Sequence, residues 1–191
     1  MVIQRGVTMD RNQAIALWRQ YNADDSLFRH ALAVEAVMRH FAVKLGHDPE
    51  FWGLVGLLHD IDYGRYPEEH LQHAGRILAE AGLDAAFIRA VESHGWGICS
   101  TVEPLHAMEK VLFATDELTG FVTACAYVRP SKSVMDLEVK SVRKKWGTAA
   151  FAAAVRRDII EQGAAKLGLP LDELIHETIL AMRARAADLG L

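Results

Sequence analysis

Apolar residues recur at steps of three and four along most of this 191-residue sequence, whereas strict alternation of apolar and polar residues is nearly absent. Val34, Val37, Met38 and Phe41 illustrate the spacing within the segment 26–45. Such steps place apolar side chains on one side of a helix, while strands need a period of two. The pattern predicts an all-α protein without a sheet.

Helix start signals divide the chain further. Asp10 precedes IALWRQY, one of Asp24, Asp25 or Ser26 begins the segment to residue 45, and Asp48 stands before Pro49 in a third start signal. Later helices are predicted at 68–81, 84–94, 104–127 from Pro104 to Tyr127, 136–146, 148–163 and 170–189. The loop 129–135 is expected to separate a helical core, residues 1–128, from a C-terminal helical extension, residues 129–191, that packs on it.

Charge and cysteine content exclude several classes of protein. A net charge of −4 gives no support to bulk affinity for nucleic acid or anionic membranes. Cys99 and Cys125 form no CxxC pair, which indicates reduced thiols rather than a disulfide framework or zinc ribbon. The N-terminus has no apolar signal core, and no stretch approaches the roughly 18 apolar residues of a membrane span. We therefore expect a soluble, cytoplasmic protein.

The stretch LLHDID places a histidine and two aspartates, His59, Asp60 and Asp62, at the end of an apolar run. Burying such groups is costly unless each finds a partner. Taken singly, each has an ordinary explanation; Asp116, inside KVLFATDELTGFV, could pair with Lys110 or an arginine. Further histidines stand near predicted helix ends: His30, His70 and His94. Imidazoles and carboxylates from several helices that converge on a cation would offset the burial cost.

The order of these residues resembles that of the HD superfamily of metal-dependent phosphohydrolases. The local sequence also matches the motifs of the family, in the segments LLHDID, PEEHLQHAGRILAEAG and IRAVESHGW. The resemblance covers about residues 26–120. It implies an HD-domain helical bundle with additional C-terminal helices, as in small bacterial HD hydrolases. The metal ligands that it implies are His30, His59, Asp60 and Asp116, with His70 and His94 added in two-metal members.

Two of the implied ligands have a neighbour that competes for the role. His70, followed four positions later by the small residue Ala74, fits the family better than His73. His94 precedes a glycine break in the family manner, whereas His106 does not. Asp62 stands where other members have glycine. We place it with Asp60 among the catalytic residues, as a group that holds a ligand imidazole or a water.

By analogy with the family, one or two divalent transition metal ions (Mn, Fe, Co, Ni or Zn) would be bound. In the two-metal case they would share Asp60, one binding His30, His59 and Asp116 and the other His70 and His94. Water activated between the ions would attack phosphorus. The implied partner is a small phosphorylated substrate such as a nucleotide. Neither nucleic acid nor a membrane is expected as a partner, and a homodimer is possible.

Residues 129–157 contain eight lysines and arginines against two acidic residues. This basic segment is either a solvated helix face or a wall that receives an anionic substrate. On the second interpretation Lys132, Lys140 and Lys144 are candidate substrate-binding residues, and Lys140 and Lys144 share a helix face. Trp146 is the one aromatic residue that adjoins a basic residue, so aromatics do not interleave with the charges, which disfavours a nucleic-acid surface.

Three functional hypotheses follow from the sequence. The first is metal-dependent hydrolysis of a phosphomonoester or phosphodiester. The second is oxidation by a di-iron form of the HD fold, and a coloured, iron-loaded protein would favour it. The third is an HD-type ligand-binding module without catalysis, which the complete ligand set disfavours.

Overall fold

The computed structural model describes residues 9–191, which form helices and connecting turns without a strand in that range. The all-α prediction is confirmed. The helices are α1 (Arg11–Tyr21), α2 (Asp25–Leu45), α3 (Pro49–Leu58), α4 (Ala74–Glu80), α5 (Ala85–Ser93), α6 (Ala107–Tyr127), α7 (Val139–Trp146), α8 (Arg157–Leu167), α9 (Leu171–Arg183) and α10 (Ala186–Leu189), with a 3₁₀ turn at Pro67–Glu69.

The predicted N-terminal caps of the first three helices are present. The carboxylate of Asp10 accepts the backbone N–H of Gln13, and that of Asp48 accepts the N–H of Glu50. Of the three candidates before α2, Asp24 is the cap. Each cap satisfies a backbone donor that has no partner within its helix.

The helix predicted at 68–81 is wrong in its first half. The chain makes a 3₁₀ turn at Pro67–Glu69, Leu71 has a φ of +66°, and α4 begins only at Ala74. The buried Asp62 carboxylate accepts the backbone N–H groups of His73 and Ala74, and this distant side chain fixes where α4 begins.

Three other predicted helices begin late, among them α7, which starts at Val139 instead of residue 136. α6 starts at Ala107 instead of Pro104, because the His106 imidazole and the Glu109 carboxylate form a capping box there. The helix predicted at 148–163 starts at Arg157, whose guanidinium donates to the carbonyls of Thr148 and Phe151 and holds residues 148–155 in turns.

Helices α2 and α6 lie at the centre of the bundle. α2 packs against α3, α6 and α9, and α6 packs also against α8. The C-terminal helices thus lie on the core, and buried side chains such as Ile160, Leu174 and Met182 belong to the same hydrophobic cluster as Val37 and Phe41. The division of the chain at residue 128 stays a prediction, and residues 1–8 of the predicted core lie outside the described residues.

None of the helices within residues 9–191 has the length and apolar character needed to cross a bilayer.

Candidate metal centre

Five parts of the chain bring histidine and aspartate side chains to one cavity of about 360 Å³. His59 and His94 are the C-terminal caps of α3 and α5, so both imidazoles project just beyond a helix end. His94 lines the cavity, whereas His59 is buried against Asp60 and Asp116 without lining it. The remaining members come from α2, from the turn after α3, from the loop before α4 and from α6: His30, Asp60, His70 and Asp116. All six predicted metal ligands therefore lie together.

The Asp60 carboxylate stands between two sets of imidazoles. Its Oδ2 lies 3.3 Å from His59 Nε2 and 3.8 Å from His30 Nε2. Its Oδ1 lies 3.3 Å from His70 Nε2 and 3.4 Å from His94 Nε2. Each carboxylate oxygen thus faces a different pair of nitrogen atoms.

Asp116 completes the first set. Its Oδ1 lies 2.9 Å from His30 Nε2 and 3.2 Å from His59 Nε2. In the second set, His70 Nε2 and His94 Nε2 are 3.1 Å apart. Ligand atoms of His30, His59 and Asp60 lie within 4.8 Å of one another, and so do those of Asp60, His70 and His94. A third group of the same closeness, His59, His94 and Asp116, connects the two sets.

All four imidazoles have a polar partner at Nδ1, on the side away from the centre. The partners are the Gly56 carbonyl for His59 (2.7 Å), the Val91 carbonyl for His94 (2.6 Å), the Asp62 carboxylate for His70 (3.0 Å) and the Thr119 hydroxyl for His30 (3.3 Å). An Nδ1–H that donates to such an acceptor leaves Nε2 with its lone pair. Every imidazole is thereby oriented to bind through Nε2.

The donor set fits a divalent cation. His59 Nε2 is buried and has no hydrogen-bond partner within residues 9–191, although two carboxylates lie near it. Neutral imidazoles and carboxylates are the ligands that first-row divalent metals bind. Cys99 also lines the cavity, but burial and the negative charge of Asp60 raise its pKa, which keeps the thiol protonated.

The electrostatics of the cluster favour a bound positive charge. Burial disfavours a charged His59, yet Asp60 and Asp116 outweigh it and raise the pKa of that imidazole well above its usual value. Burial likewise opposes the charge of Asp60, but His59 and His94 outweigh it and hold its pKa well below the usual range. A cation must therefore compete with protons for these sites.

Asp62 has a different position from Asp60. It is fully buried, does not line the cavity, and accepts the Nδ1–H of His70 and two backbone N–H groups. Burial opposes its charge, but the hydrogen bond from His70 lowers its pKa. Asp62 is therefore placed to orient His70 and does not contact the cavity. A role for it in catalysis stays a prediction.

The two competing histidines lie outside the cluster. His73 Nε2 bonds the Glu69 carboxylate at 2.6 Å, and its ring stacks on Tyr66. His106 caps α6, and its ring packs against Trp52. The structure thus brings His70 and His94 to the centre.

The three candidate substrate lysines do not line the cavity. Lys140 is 83% exposed and pairs with Glu138, and Lys132 and Lys144 are also exposed. Their assignment as substrate contacts stays a prediction.

Sequence reasoning missed several residues in the cavity wall. Glu117 lines the cavity, and the buried Thr119 lies behind it against His30. Both follow Asp116 in an apolar helix, and that polar clustering was the signal that could have revealed them. Burial and the Asp116 charge raise the pKa of Glu117. The apolar part of the wall, which no local motif predicts, consists of Ile98, Phe113, Val155 and Ile159.

Comparisons with known proteins agree with this arrangement. The family model of the HD domain matches residues 27–119. A tRNA (cytidine(56)-2'-O)-methyltransferase of Picrophilus torridus is 34% identical over 95 residues, which cover 48% of this chain and 27% of that protein. The chain thus spans about a quarter of the length of the curated relative that it matches. No solved structure matches this chain.

Proposed function

Because residues 27–119 of this chain form an HD domain, we propose that the protein is a metal-dependent phosphohydrolase that acts on a small phosphate ester. One observation supports the proposal above the others. The two oxygens of Asp60 face two separate sets of Nε2 atoms, an arrangement suited to a carboxylate shared by two cations.

The distances around Asp60 support one division of these residues between two ions. We propose that Asp60 is shared, that His30, His59 and Asp116 complete one site, and that His70 and His94 complete the other. When bound, divalent cations polarise phosphoryl oxygens and lower the pKa of water toward neutrality.

The protein's own groups orient the site and shape its walls. The acceptors at Nδ1 keep each imidazole turned inward, which fixes the ligand geometry before a metal binds. Ile98, Phe113 and Ile159 form an apolar wall that offers contact to the uncharged part of an ester.

The methyltransferase relative does not change this proposal. Its activity belongs to a protein of which this chain matches 27%, and we do not extend methyl transfer to this chain.

Metal analysis and a hydrolysis assay test the proposal together. We expect purified protein to contain up to two ions per chain and to hydrolyse phosphate esters with Mn, Co or Ni. Asp60→Asn should lose both metal and activity, while Asp172→Asn, an exposed aspartate on α9, serves as the control. Iron-loaded, coloured protein without phosphohydrolase activity would overturn the proposal in favour of oxidation.

Separate substitutions test the division into two sites. His70→Ala and His94→Ala should each leave about one ion per chain, because the set of His30, His59, Asp60 and Asp116 remains. Unchanged metal content in both variants would show that a single ion is bound without these histidines.

A further inference from the structure

A second cavity of about 210 Å³ adjoins the metal-centre cavity. Both cavities are lined by His30 and Gly120, so they meet at a metal-ligand candidate and at a residue without a side chain. The second cavity is bounded further by Arg29, Thr123 and Tyr127. Space for a molecule therefore extends from the metal-centre cavity past His30.

Gly120 is not required by the packing of α6. It lies inside the helix, where glycine costs roughly 0.5–1 kcal/mol relative to alanine. A Cβ at this position would meet no atom within 4 Å, and its φ is not positive. Gly163 in α8 is different, since a Cβ there would collide with the backbone of Ala114. The missing side chain of Gly120 faces open space at the junction of the two cavities.

The charges of the two cavities are complementary to a substrate with two anionic groups. Within the described residues, the metal-centre cavity is lined by no lysine or arginine, and its charged groups besides the histidines are Asp60, Asp116 and Glu117. Anion binding there depends on bound cations. The second cavity is lined by the guanidinium-bearing Arg29, next to His30 on α2.

Arg29 is available to a ligand. It is exposed and forms no ion pair with any residue of the range 9–191. Asp24 lies within electrostatic reach, but its carboxylate is engaged by the Ser26 hydroxyl and the backbone of Ser26 and Leu27. A free guanidinium binds phosphate or carboxylate through paired N–H donors.

We propose that the second cavity is a substrate subsite in which Arg29 binds a second anionic group, a phosphate or a carboxylate. The reactive phosphate of the same molecule would lie at the metal centre, so this inference rests on the proposed function. The substrate class is a small phosphate ester that carries an anionic group at its other end. The chain of the substrate passes over Gly120, where a larger side chain would obstruct it.

Binding of phosphonates to the metal-loaded protein tests the subsite without relying on turnover, because the C–P bond is not hydrolysed. Calorimetry compares ω-phosphonocarboxylates of increasing length with alkylphosphonates of equal length. We expect wild-type protein to bind the best phosphonocarboxylate about tenfold more tightly, the typical effect of one charge-assisted contact. α,ω-Bisphosphonates in the same series show whether phosphate or carboxylate is the better second group.

Substitutions show which residues cause the preference for phosphonocarboxylates over alkylphosphonates. Arg29→Gln should abolish it while leaving alkylphosphonate affinity unchanged, and Arg76→Gln, an exposed arginine on α4, should retain it. Gly120→Ala should weaken the preference and Gly120→Leu should remove it, both with wild-type metal content. The milder substitution keeps the test valid if the larger one fails to fold.

Hydrolysis of 4-nitrophenyl phosphate separates this inference from the proposed function. A protein that prefers doubly anionic probes through Arg29 but hydrolyses no ester would retain the subsite and refute the hydrolase. Equal affinity of wild-type protein for both probe classes, or a preference that survives Arg29→Gln, would overturn the subsite.

Discussion

Asp60 and Asp62 are two positions apart, yet they face opposite sides of the turn that follows α3. The Asp60 side chain is 17% exposed and faces the cavity, whereas that of Asp62 is 0% exposed and faces α4. Each has a separate role: Asp60 offers oxygen atoms to the metal centre, and Asp62 orients His70 from behind. Ligand geometry therefore depends on a carboxylate that no substrate contacts.

Replacing Asp62 by alanine should impair both stability and metal binding. The His70 imidazole and the backbone N–H groups of His73 and Ala74 would lose their acceptor in a buried location. We expect a loss of about 3 kcal/mol in the free energy of unfolding, measured by urea denaturation. Affinity for one metal ion should fall roughly 10- to 100-fold.

Asp48→Ala is the matched control for this substitution. Asp48 caps α3 from an exposed position through the N–H of Glu50, so its loss should cost about 1 kcal/mol and leave metal affinity unchanged. Equal metal affinity in wild-type protein and Asp62→Ala would contradict the positioning role.

The effect of Glu117 ionisation on the free energy of unfolding can be tested by comparing acidic and neutral pH in metal-free protein. Burial and the Asp116 charge raise its pKa in the folded state, so the folded protein resists its ionisation. Stability should therefore be lost as the pH rises above the unfolded value of about 4.3. Glu117→Gln stays neutral, and its amide oxygen can still accept the N–H of Arg156.

We expect Glu117→Gln to melt at a higher temperature than wild type at pH 7 and at the same temperature at pH 4, in the presence of a chelator. Glu68→Gln, an exposed substitution, should show no such difference. A lower melting temperature for Glu117→Gln at pH 7 would show that its charge is stabilising instead.

The crossing of α6 and α8 links the C-terminal helices to the metal centre. α6 supplies Asp116 to the cluster, and α8 supplies Ile159 to the cavity wall. The two helices approach closely where Gly163 meets Ala114. Since a Cβ at position 163 would overlap backbone atoms, which cannot rotate away, this contact needs glycine.

Gly163→Ala should therefore destabilise the protein by about 1–3 kcal/mol, despite the better helix propensity of alanine. Gly147→Ala is the control, because a Cβ there meets no atom within 4 Å and its φ is −77°. Chemical denaturation measures both. A neutral or stabilising effect of Gly163→Ala would mean that α8 can move away from α6 without cost.

The whole described chain shares one hydrophobic core. Buried residues of the C-terminal segment, such as Val142 and Leu174, pack in the same cluster as Leu57 and Leu118. Elements that share a core tend to unfold together. Metal binding at the centre should then stabilise helices that contribute no metal ligand.

We expect a saturating divalent metal to slow amide hydrogen exchange in α9, since binding to the folded state stabilises it by about 2.7 kcal/mol at a hundredfold excess over Kd. Leu174→Ala, at a buried site of α9, should lower the single melting transition through a cost of about 2–5 kcal/mol. Leu180→Ala, at an exposed site of the same helix, should cost under about 0.5 kcal/mol.

Two separate transitions in calorimetry, with metal shifting only one of them, would contradict this prediction. That result would support independent units that divide near residue 128.

Local patterns determined the helical class, and the family resemblance predicted the candidate ligand set. Caps such as Asp10 and Asp48 act on donors within three residues, so their effect can be predicted without knowledge of distant contacts. Apolar spacing is equally local. The order of residues from His30 to Asp116 predicted which side chains lie together in the fold. Helical periodicity does not show which distant residues are close in space, and the family resemblance supplied that information.

Tertiary structure decided the features that depend on residues far apart in the chain. The start of α4 depends on the Asp62 carboxylate, which accepts the backbone N–H groups of His73 and Ala74 from 11 and 12 positions earlier in the chain. The cavity wall depends on α8 lying across α6, and the opening beside Gly120 depends on the neighbours that surround it. Charge density in 129–157 likewise did not predict Arg29 as the cation beside the centre. Side-chain direction in loops follows from backbone angles such as φ at Leu71, which packing selects and local propensity does not.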